Sequence, residues 1–190
     1  MGTKAQRPQT AIDPSQCSGG VCGSTRSMST PAPAETPPHD PSCALCRSVT
    51  APDRVPPLWH DDLFEVRHID PPWGVAGWMM VVARRHVAGP AHFNAAEARA
   101  FGPLLRHLSL KLEQVTGALR IYTAALGEAV PHFHCHLVPR RAEMPLGAKG
   151  WAVFDLQRAA VAGEVVVDPA EVERLCVAYR SALVQDPPPV

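Results

Sequence analysis

The order of hydrophobic and polar positions predicts two strands soon after residue 57. A period-two alternation over residues 64–67 is typical of a half-buried strand. The apolar run 78–83, rich in bulky and β-branched side chains, predicts a second and more buried strand. Residues 70–74, DPPWG, have turn chemistry. The two strands are therefore expected to form a hairpin.

Two later segments carry helical periodicity. The first helix should begin after Asn94, which forms a capping box with Glu97, and should end at Gly117. A proline in the pair Gly102-Pro103 either kinks this helix or delays its true start. The second helix, about 168–184, has Asp168 as its N-cap. Its predicted apolar stripe consists of Val172, Leu175, Val177, Tyr179 and Leu183.

Two further strands are predicted between these helices, over residues 118–126 and 132–139. The order strand, strand, helix, strand, strand contains no alternating parallel β-α-β units. The predicted fold class is therefore α+β, with a mainly antiparallel sheet and helices packed on it.

Composition separates the first 40 residues from the rest of the chain. The 190-residue sequence contains 21 prolines, and residues 1–40 are rich in Pro, Ser and Thr with almost no large apolar side chains. Such a segment is expected to be a disordered tail, because it cannot bury enough surface to offset the entropy of ordering. The 18 basic and 18 acidic side chains balance, which argues against nucleic acid as a partner. No leader-like or membrane-spanning apolar run is visible, so we expect a soluble, cytoplasmic protein.

Three histidines at two-residue spacing are the strongest chemical signal. His132, His134 and His136 should share one face of a strand, while Phe133 and its alternating neighbours occupy the other face. Three ionisable rings make a poor core face. Histidine can act at neutral pH as a nucleophile, a proton donor or a metal ligand.

A Cys-x-x-Cys pair, Cys43 and Cys46, precedes the first predicted strand. It is compatible with half of a zinc site, a redox pair or a chance spacing. No second Cys-x-x-Cys follows, so a zinc ion would need other side chains to complete its ligands. A redox pair usually lies at the start of a helix in a β-α-β unit, and the polar segment before Cys43 does not suggest one.

The motif His-x-His-x-His followed by Leu-Val-Pro-Arg resembles the signature of the histidine-triad (HIT) superfamily of nucleotide hydrolases and transferases. The segment 70–86, DPPWGVAGWMMVVARRH, and the approach LGEAVPHFHCH are similar to other parts of that family's pattern. The resemblance covers about residues 41–140. It therefore implies a HIT domain over 41–140, followed by a C-terminal extension over 141–190.

The resemblance implies chemistry at the α-phosphate of a nucleotide. His134 would attack the α-phosphorus and form a nucleotidyl-histidine intermediate, and His136 would hydrogen-bond the phosphate oxygens. Asp70 is similar to the residue that binds ribose hydroxyls, although it is also an ordinary turn former. Arg140 is a weaker candidate for contact with distal phosphates, since basic strand ends are commonly just solvated.

Zinc-bearing relatives combine a Cys-x-x-Cys pair with two histidines. The resemblance therefore implies a structural zinc held by Cys43, Cys46, His86 and His132. It also implies a homodimer that joins sheets edge to edge.

Several positions depart from the family pattern. Ala129, Ile121, Glu128 and Trp78 replace, respectively, a common Ser or Thr, Asn or Gln, Gln, and His. These departures leave two alternatives to an ordinary hydrolase or nucleotidyltransferase. One is a nucleotide-binding protein with little turnover, and the other is an enzyme that acts on a nucleotide-linked intermediate in a specialised pathway.

The composition of the tail gives a first testable prediction. Deleting residues 1–38 should leave the melting temperature nearly unchanged, because a polar, proline-rich segment buries little surface. Thermal unfolding of the full-length and truncated chains, followed by circular dichroism, measures this. A drop of many degrees would show that the segment packs against the domain.

Overall fold

The computed structural model describes residues 39–145 and 147–189. The predicted tail, apart from its last two residues, lies outside this range. Five strands form one sheet: β1 (Trp59–His60), β2 (Phe64–His68), β3 (Met79–Ala83), β4 (Arg120–Ala124) and β5 (His134–Arg140). Their order is β1-β2-β3-β5-β4, and every neighbouring pair is antiparallel. The predicted α+β class and the hairpin of β2 and β3 are therefore confirmed.

The described residues also form four α-helices: α1 (Ala44–Thr50), α2 (Ala95–Thr116), α3 (Val153–Val161) and α4 (Pro169–Gln185). The capping box of Asn94 with Glu97 is present, and α2 ends at Gly117, whose φ of 64° is left-handed. Pro103 lies inside α2 without delaying its start. Of the described helices, none has both the length and the apolar character needed to cross a membrane.

The main core lies between one face of the sheet and helices α2 and α4. Leu104, Leu108 and Leu112 of α2 pack there against Phe64 and Val81 of the sheet. From α4, two buried side chains join the same cluster, Tyr179 and Leu183. The hydroxyl of the buried tyrosine donates to the carbonyl of Leu108 at 3.0 Å. Helix α4 therefore shares one core with the sheet.

Helices α1 and α3 pack on the opposite face of the sheet. Val49 of α1 contacts Met80 and Val82 of β3. Val153 of α3 packs in a second cluster that includes Val138 of β5. Neither helix is predicted from the sequence, because segments of seven and nine residues are too short to establish a helical period. Together they cover parts of the face that carries the histidine row.

Two predicted features of the elements are wrong. Val177 is 57% exposed and leaves the stripe of α4, because a position five residues after Val172 lies on the other side of a helix with 3.6 residues per turn. Strand β2 is not simply half-buried, since Glu65 is fully buried. The Arg54 guanidinium donates to both carboxylate oxygens of Glu65, at 3.0 and 2.8 Å. This ion pair allows a charged side chain to be buried at a position that the period-two pattern predicts to face solvent.

Gly74 is the position where α3 docks onto the loop between β2 and β3. A Cβ atom there would lie 2.5 Å from backbone atoms of Leu156 and Gln157. The Gly74 amide also donates to the Gln157 side chain at 2.9 Å. Only a residue without a side chain permits this approach.

We therefore expect Gly74→Ala to lower the free energy of unfolding by about 1–3 kcal/mol, the typical cost of overpacking. Gly89→Ala is the matched control, because a Cβ there meets nothing within 4 Å and its φ of 178° is extended. The control should stay within about 0.5 kcal/mol of the parent chain. Urea unfolding of the three proteins measures both values, and equal stabilities would contradict the docking role of Gly74.

Candidate functional site

The side chains of strand β5 alternate between the two faces of the sheet, as the sequence pattern predicts, so that its histidines lie on the face opposite the main core. Cys135 and Leu137 are buried in the main core together with Phe133, which precedes the strand. His134 and His136 remain partly exposed on the other face, with their ring centroids 5.2 Å apart.

The hydrogen bonding of His134 assigns its tautomer. Its Nδ1 lies 2.7 Å from the backbone carbonyl oxygen of His132. A carbonyl only accepts, so Nδ1 carries the proton and donates. When the ring is neutral, the lone pair is therefore on Nε2. This arrangement gives His134 a nucleophilic nitrogen with its ring orientation fixed by the backbone.

His136 has a different set of neighbours. The indole Nε1 of Trp78 lies 3.1 Å from the Nδ1 of His136, and the two rings are nearly perpendicular. Phe154 of α3 contacts both rings, with centroids 5.2 Å from Trp78 and 6.0 Å from His136. Burial, and to a lesser extent the adjacent His134, lower the pKa of His136 to about 4. His136 is therefore neutral at physiological pH.

Two cysteines and two histidines converge beside this row. One donor atom from each of Cys43, Cys46, His86 and His132 lies within 4.8 Å of all the others. The His132 Nδ1 is 3.6 Å from the Cys43 sulfur and 3.4 Å from the Cys46 sulfur, and the His86 Nδ1 is 3.3 Å from the Cys46 sulfur. Tetrahedral zinc with Zn–S and Zn–N bonds of about 2.3 and 2.0 Å places its ligand atoms about 3.3–3.8 Å apart. The donor set and its spacing fit that ion.

The second nitrogen of His132 supports the same interpretation. His132 is fully buried, and its Nε2 lies 2.6 Å from the carbonyl oxygen of Ala83. Nε2 therefore donates, and the lone pair on Nδ1 faces the two sulfurs. A backbone carbonyl that orients a histidine in this way is a common partner of metal-binding imidazoles.

The Cys46 sulfur is the most crowded atom of the cluster. Imidazole nitrogens of His86 and His132 both approach that sulfur, and the backbone N–H of Asp40 donates to it at 3.3 Å. A thiol has one proton and can donate to only one of the two rings. Burial raises the pKa of the Cys46 thiol. A cation shared by all four ligands would satisfy every lone pair in the cluster.

Asp70 is exposed and lines a cleft of about 480 Å³ at the end of β2. Ser48, Arg54 and Arg67 also line it. The Arg67 Nη1 donates to the Ser48 hydroxyl at 2.5 Å. Arg67 is aligned across the sheet with Met80, which is in turn aligned with His136. The Arg67 backbone therefore lies about 10 Å from that of His136, two strand spacings away in the sheet.

Arg140 lies far from the histidine row along β5. It is 5% exposed, and its guanidinium donates to the backbone carbonyls of Arg141 and Met144. Four residues of strand separate it from His136, about 13 Å. Its observed contacts hold the segment after β5, and they do not favour contact with phosphate.

Apart from Trp78, the positions that depart from the family pattern lie in the loop before β5 and at the main core. Ala129 and Glu128 are exposed in the loop before β5. Ile121 packs against the main core. Two residues of the site had no sequence signal of their own, since neither the position of Phe154 over His136 nor that of Arg67 in the cleft follows from a local pattern.

Comparison with known proteins agrees with this geometry. Residues 58–143 match the HIT domain family model. No curated protein matches the chain. Solved structures with a similar fold include a HIT-like protein involved in cell-cycle regulation from Bartonella henselae, with 14% identity, a TM-score of 0.55, and coverage of 76% of this chain and 98% of that one.

Two further structures have the same fold. A Zn-bound histidine triad family protein from Mycobacterium smegmatis is 20% identical, with a TM-score of 0.54 over 76% of this chain and 94% of that one. A histidine triad protein from Bradyrhizobium japonicum is 21% identical, with a TM-score of 0.53 over 67% of this chain and 89% of that one. Residues 58–143 of the chain therefore form a HIT domain.

Proposed function

We propose that the protein is a nucleotide hydrolase or nucleotidyltransferase in which His134 attacks the α-phosphate of a nucleotide conjugate. The observation that carries this proposal is the hydrogen bond from the His134 Nδ1 to the His132 carbonyl. It leaves the lone pair on Nε2, in a ring that is partly exposed on the open face of the sheet. A neutral, oriented imidazole is a competent nucleophile at pH 7.

The reaction would proceed in two displacements. In the first, the His134 Nε2 forms a bond to the α-phosphorus, and the bond from phosphorus to the leaving group breaks with its electron pair on the leaving group. In the second, water or another acceptor attacks phosphorus, loses a proton to solvent, and breaks the P–N bond, which returns the electron pair to Nε2. His136 would bind the phosphate oxygens while negative charge grows on them.

The cleft beside β2 is the proposed nucleoside site. Asp70 lies at its rim, exposed, where its carboxylate would accept hydrogen bonds from ribose hydroxyls. Arg54 is neutralised by Glu65, whereas Arg67 has only a hydroxyl, that of Ser48, as a side-chain partner within the described chain. Arg67 therefore remains available to an acceptor group on the bound nucleoside.

Two alternatives remain candidates. The exposed Glu128 and Ala129 give the loop before β5 a negative charge and no hydroxyl, which favours a binding protein with weak turnover. The same departures from the family pattern also fit an unusual substrate, so an enzyme that acts on a nucleotide-linked intermediate in a specialised pathway is the other alternative.

Intact-mass spectrometry tests the covalent mechanism. We expect a nucleotidyl adduct when the protein is mixed briefly with a panel of nucleotide sugars, dinucleoside polyphosphates, NAD and aminoacyl phosphoramidates. His134→Ala should abolish the adduct and turnover without loss of fold, because it removes the attacking nitrogen. His92→Ala, at an exposed histidine outside the site, is the control and should form the adduct normally. Turnover by His134→Ala at the parent rate would exclude His134 as the nucleophile.

We further propose that Cys43, Cys46, His86 and His132 hold a structural zinc ion. The convergence of four soft or borderline ligands supports this, and the protein from Mycobacterium smegmatis with the same fold is Zn-bound. With four protein ligands, such an ion would have no open position for substrate. Its role would be to fasten α1 to the sheet.

Elemental analysis of the purified chain should find about one zinc ion per molecule. Cys43→Ser and His86→Ala should lose most of it and should unfold at lower temperature, because metal binding contributes to folding. His134→Ala and Cys176→Ser should keep it, since neither side chain belongs to the cluster. Full zinc content in Cys43→Ser, or none in the carefully purified parent chain, would return Cys43 and Cys46 to the redox interpretation.

A homodimer is part of the same proposal. Strand β4 pairs only with β5 within the described chain, so its outer edge is free to join a second sheet. We propose a cytoplasmic location from the sequence, and no nucleic acid or membrane enters the proposed reaction.

A further inference from the structure

Trp78 makes a contact that the proposed mechanism does not by itself require. It precedes β3, is 2% exposed, and directs its indole Nε1 to the His136 Nδ1 at 3.1 Å. We propose that Trp78 is a positioning residue that locks His136 in the neutral Nε2–H tautomer, so that His136 always presents a donor to the substrate phosphate. The inference deepens the proposed function and rests on it for the role of His136.

The argument depends on the chemistry of indole. An indole N–H can only donate, so the nitrogen that receives it must carry a lone pair. The Nδ1 of His136 is therefore unprotonated, and the single proton of the neutral ring is on Nε2. A histidine at position 78 would be able to accept as well as donate, and it would leave the tautomer of His136 open.

The surroundings of His136 keep it neutral. The rings packed against it belong to Trp78, Phe154 and His134. Its cross-strand neighbours are Met80 on β3 and Ala124 on β4. Among the described residues in these contacts, none is a carboxylate that would stabilise an imidazolium. Burial also lowers the pKa of His136, which favours the neutral ring.

His134 and His136 therefore have opposite tautomers. His134 has its proton on Nδ1 and a lone pair on Nε2, whereas His136 has its lone pair on Nδ1 and a proton on Nε2. One ring is arranged to attack phosphorus and the other to donate to its oxygens. Because His136 stays neutral, it acts as a hydrogen-bond donor and not as a source of protons.

Ring-nitrogen NMR of the ¹⁵N-labelled full chain tests the tautomer directly. At pH 7 the parent protein should show His136 with an unprotonated Nδ1 and a protonated Nε2, assigned by the signals lost in His136→Gln. Trp78→Phe keeps an aromatic ring but removes the N–H, and it should give a mixture of the two tautomers. A proton on Nδ1 in the parent chain would overturn the proposal even if Trp78→Phe fails to fold.

Trp73→Phe is the matched control. It also removes an indole N–H, but that N–H donates to the carbonyl of Ile69 at 3.0 Å and does not reach His136. The His136 signals should be unchanged in this variant. Unchanged His136 signals in a folded Trp78→Phe protein would overturn the proposal that Trp78 determines the tautomer of His136.

Kinetics then separate this inference from the proposed function. In an active parent enzyme, Trp78→Phe should lower kcat about tenfold with little change in KM, the scale of one misoriented hydrogen bond that strengthens in the transition state. Unchanged kcat with a mixed tautomer would contradict the positioning role. A parent chain with the expected tautomer and no turnover on any substrate would overturn the proposed function and leave the tautomer lock supported.

Discussion

The alternation of side chains along β5 is the constraint on which the site depends. The strand is paired on both sides, with β3 and with β4, and its inner residues are fixed by the main core. Because the period is two, a shift of one residue would move every imidazole into the core and every apolar side chain out. Burial of Cys135 and Leu137 therefore sets the direction of His134 and His136. The hydrophobic effect, acting on one face, orients the chemistry on the other.

Helix α1 depends on the second constraint, the cluster of two cysteines and two histidines. Seven residues are too few for a stable isolated helix, and its apolar contact with the sheet is small, centred on Val49. The cluster brings together residues that are distant in the sequence, since the Cys46 sulfur contacts the ring of His132, 86 residues later. Once α1 is held there, Ser48 reaches Arg67 and completes one wall of the cleft. The proposed metal and nucleoside sites are thus coupled through one short helix.

Sequence alone predicted the parts of the fold that local rules determine. The caps of α2, the hairpin of β2 and β3 and the direction of the histidine row all follow from patterns within a few residues. The remainder depends on distant partners: Glu65 is buried because Arg54 reaches it, and α3 is held by its approach to Gly74. The histidine ligands of the cluster were named only through resemblance, because no spacing rule relates a Cys-x-x-Cys pair to histidines 40 and 86 residues away.

Two departures from the family pattern, Ala129 and Trp78, both affect the supply of a proton to the leaving group. Ala129 offers no hydroxyl to the leaving group, and a neutral His136 is a donor but not an acid at pH 7. In the proposed mechanism, therefore, neither Ala129 nor His136 can donate a proton to a leaving group that must be protonated as it departs. A leaving group that departs as a stable anion needs none. Burial of His136, to which the rings of Trp78 and Phe154 contribute, thus restricts the leaving groups that His134 can displace.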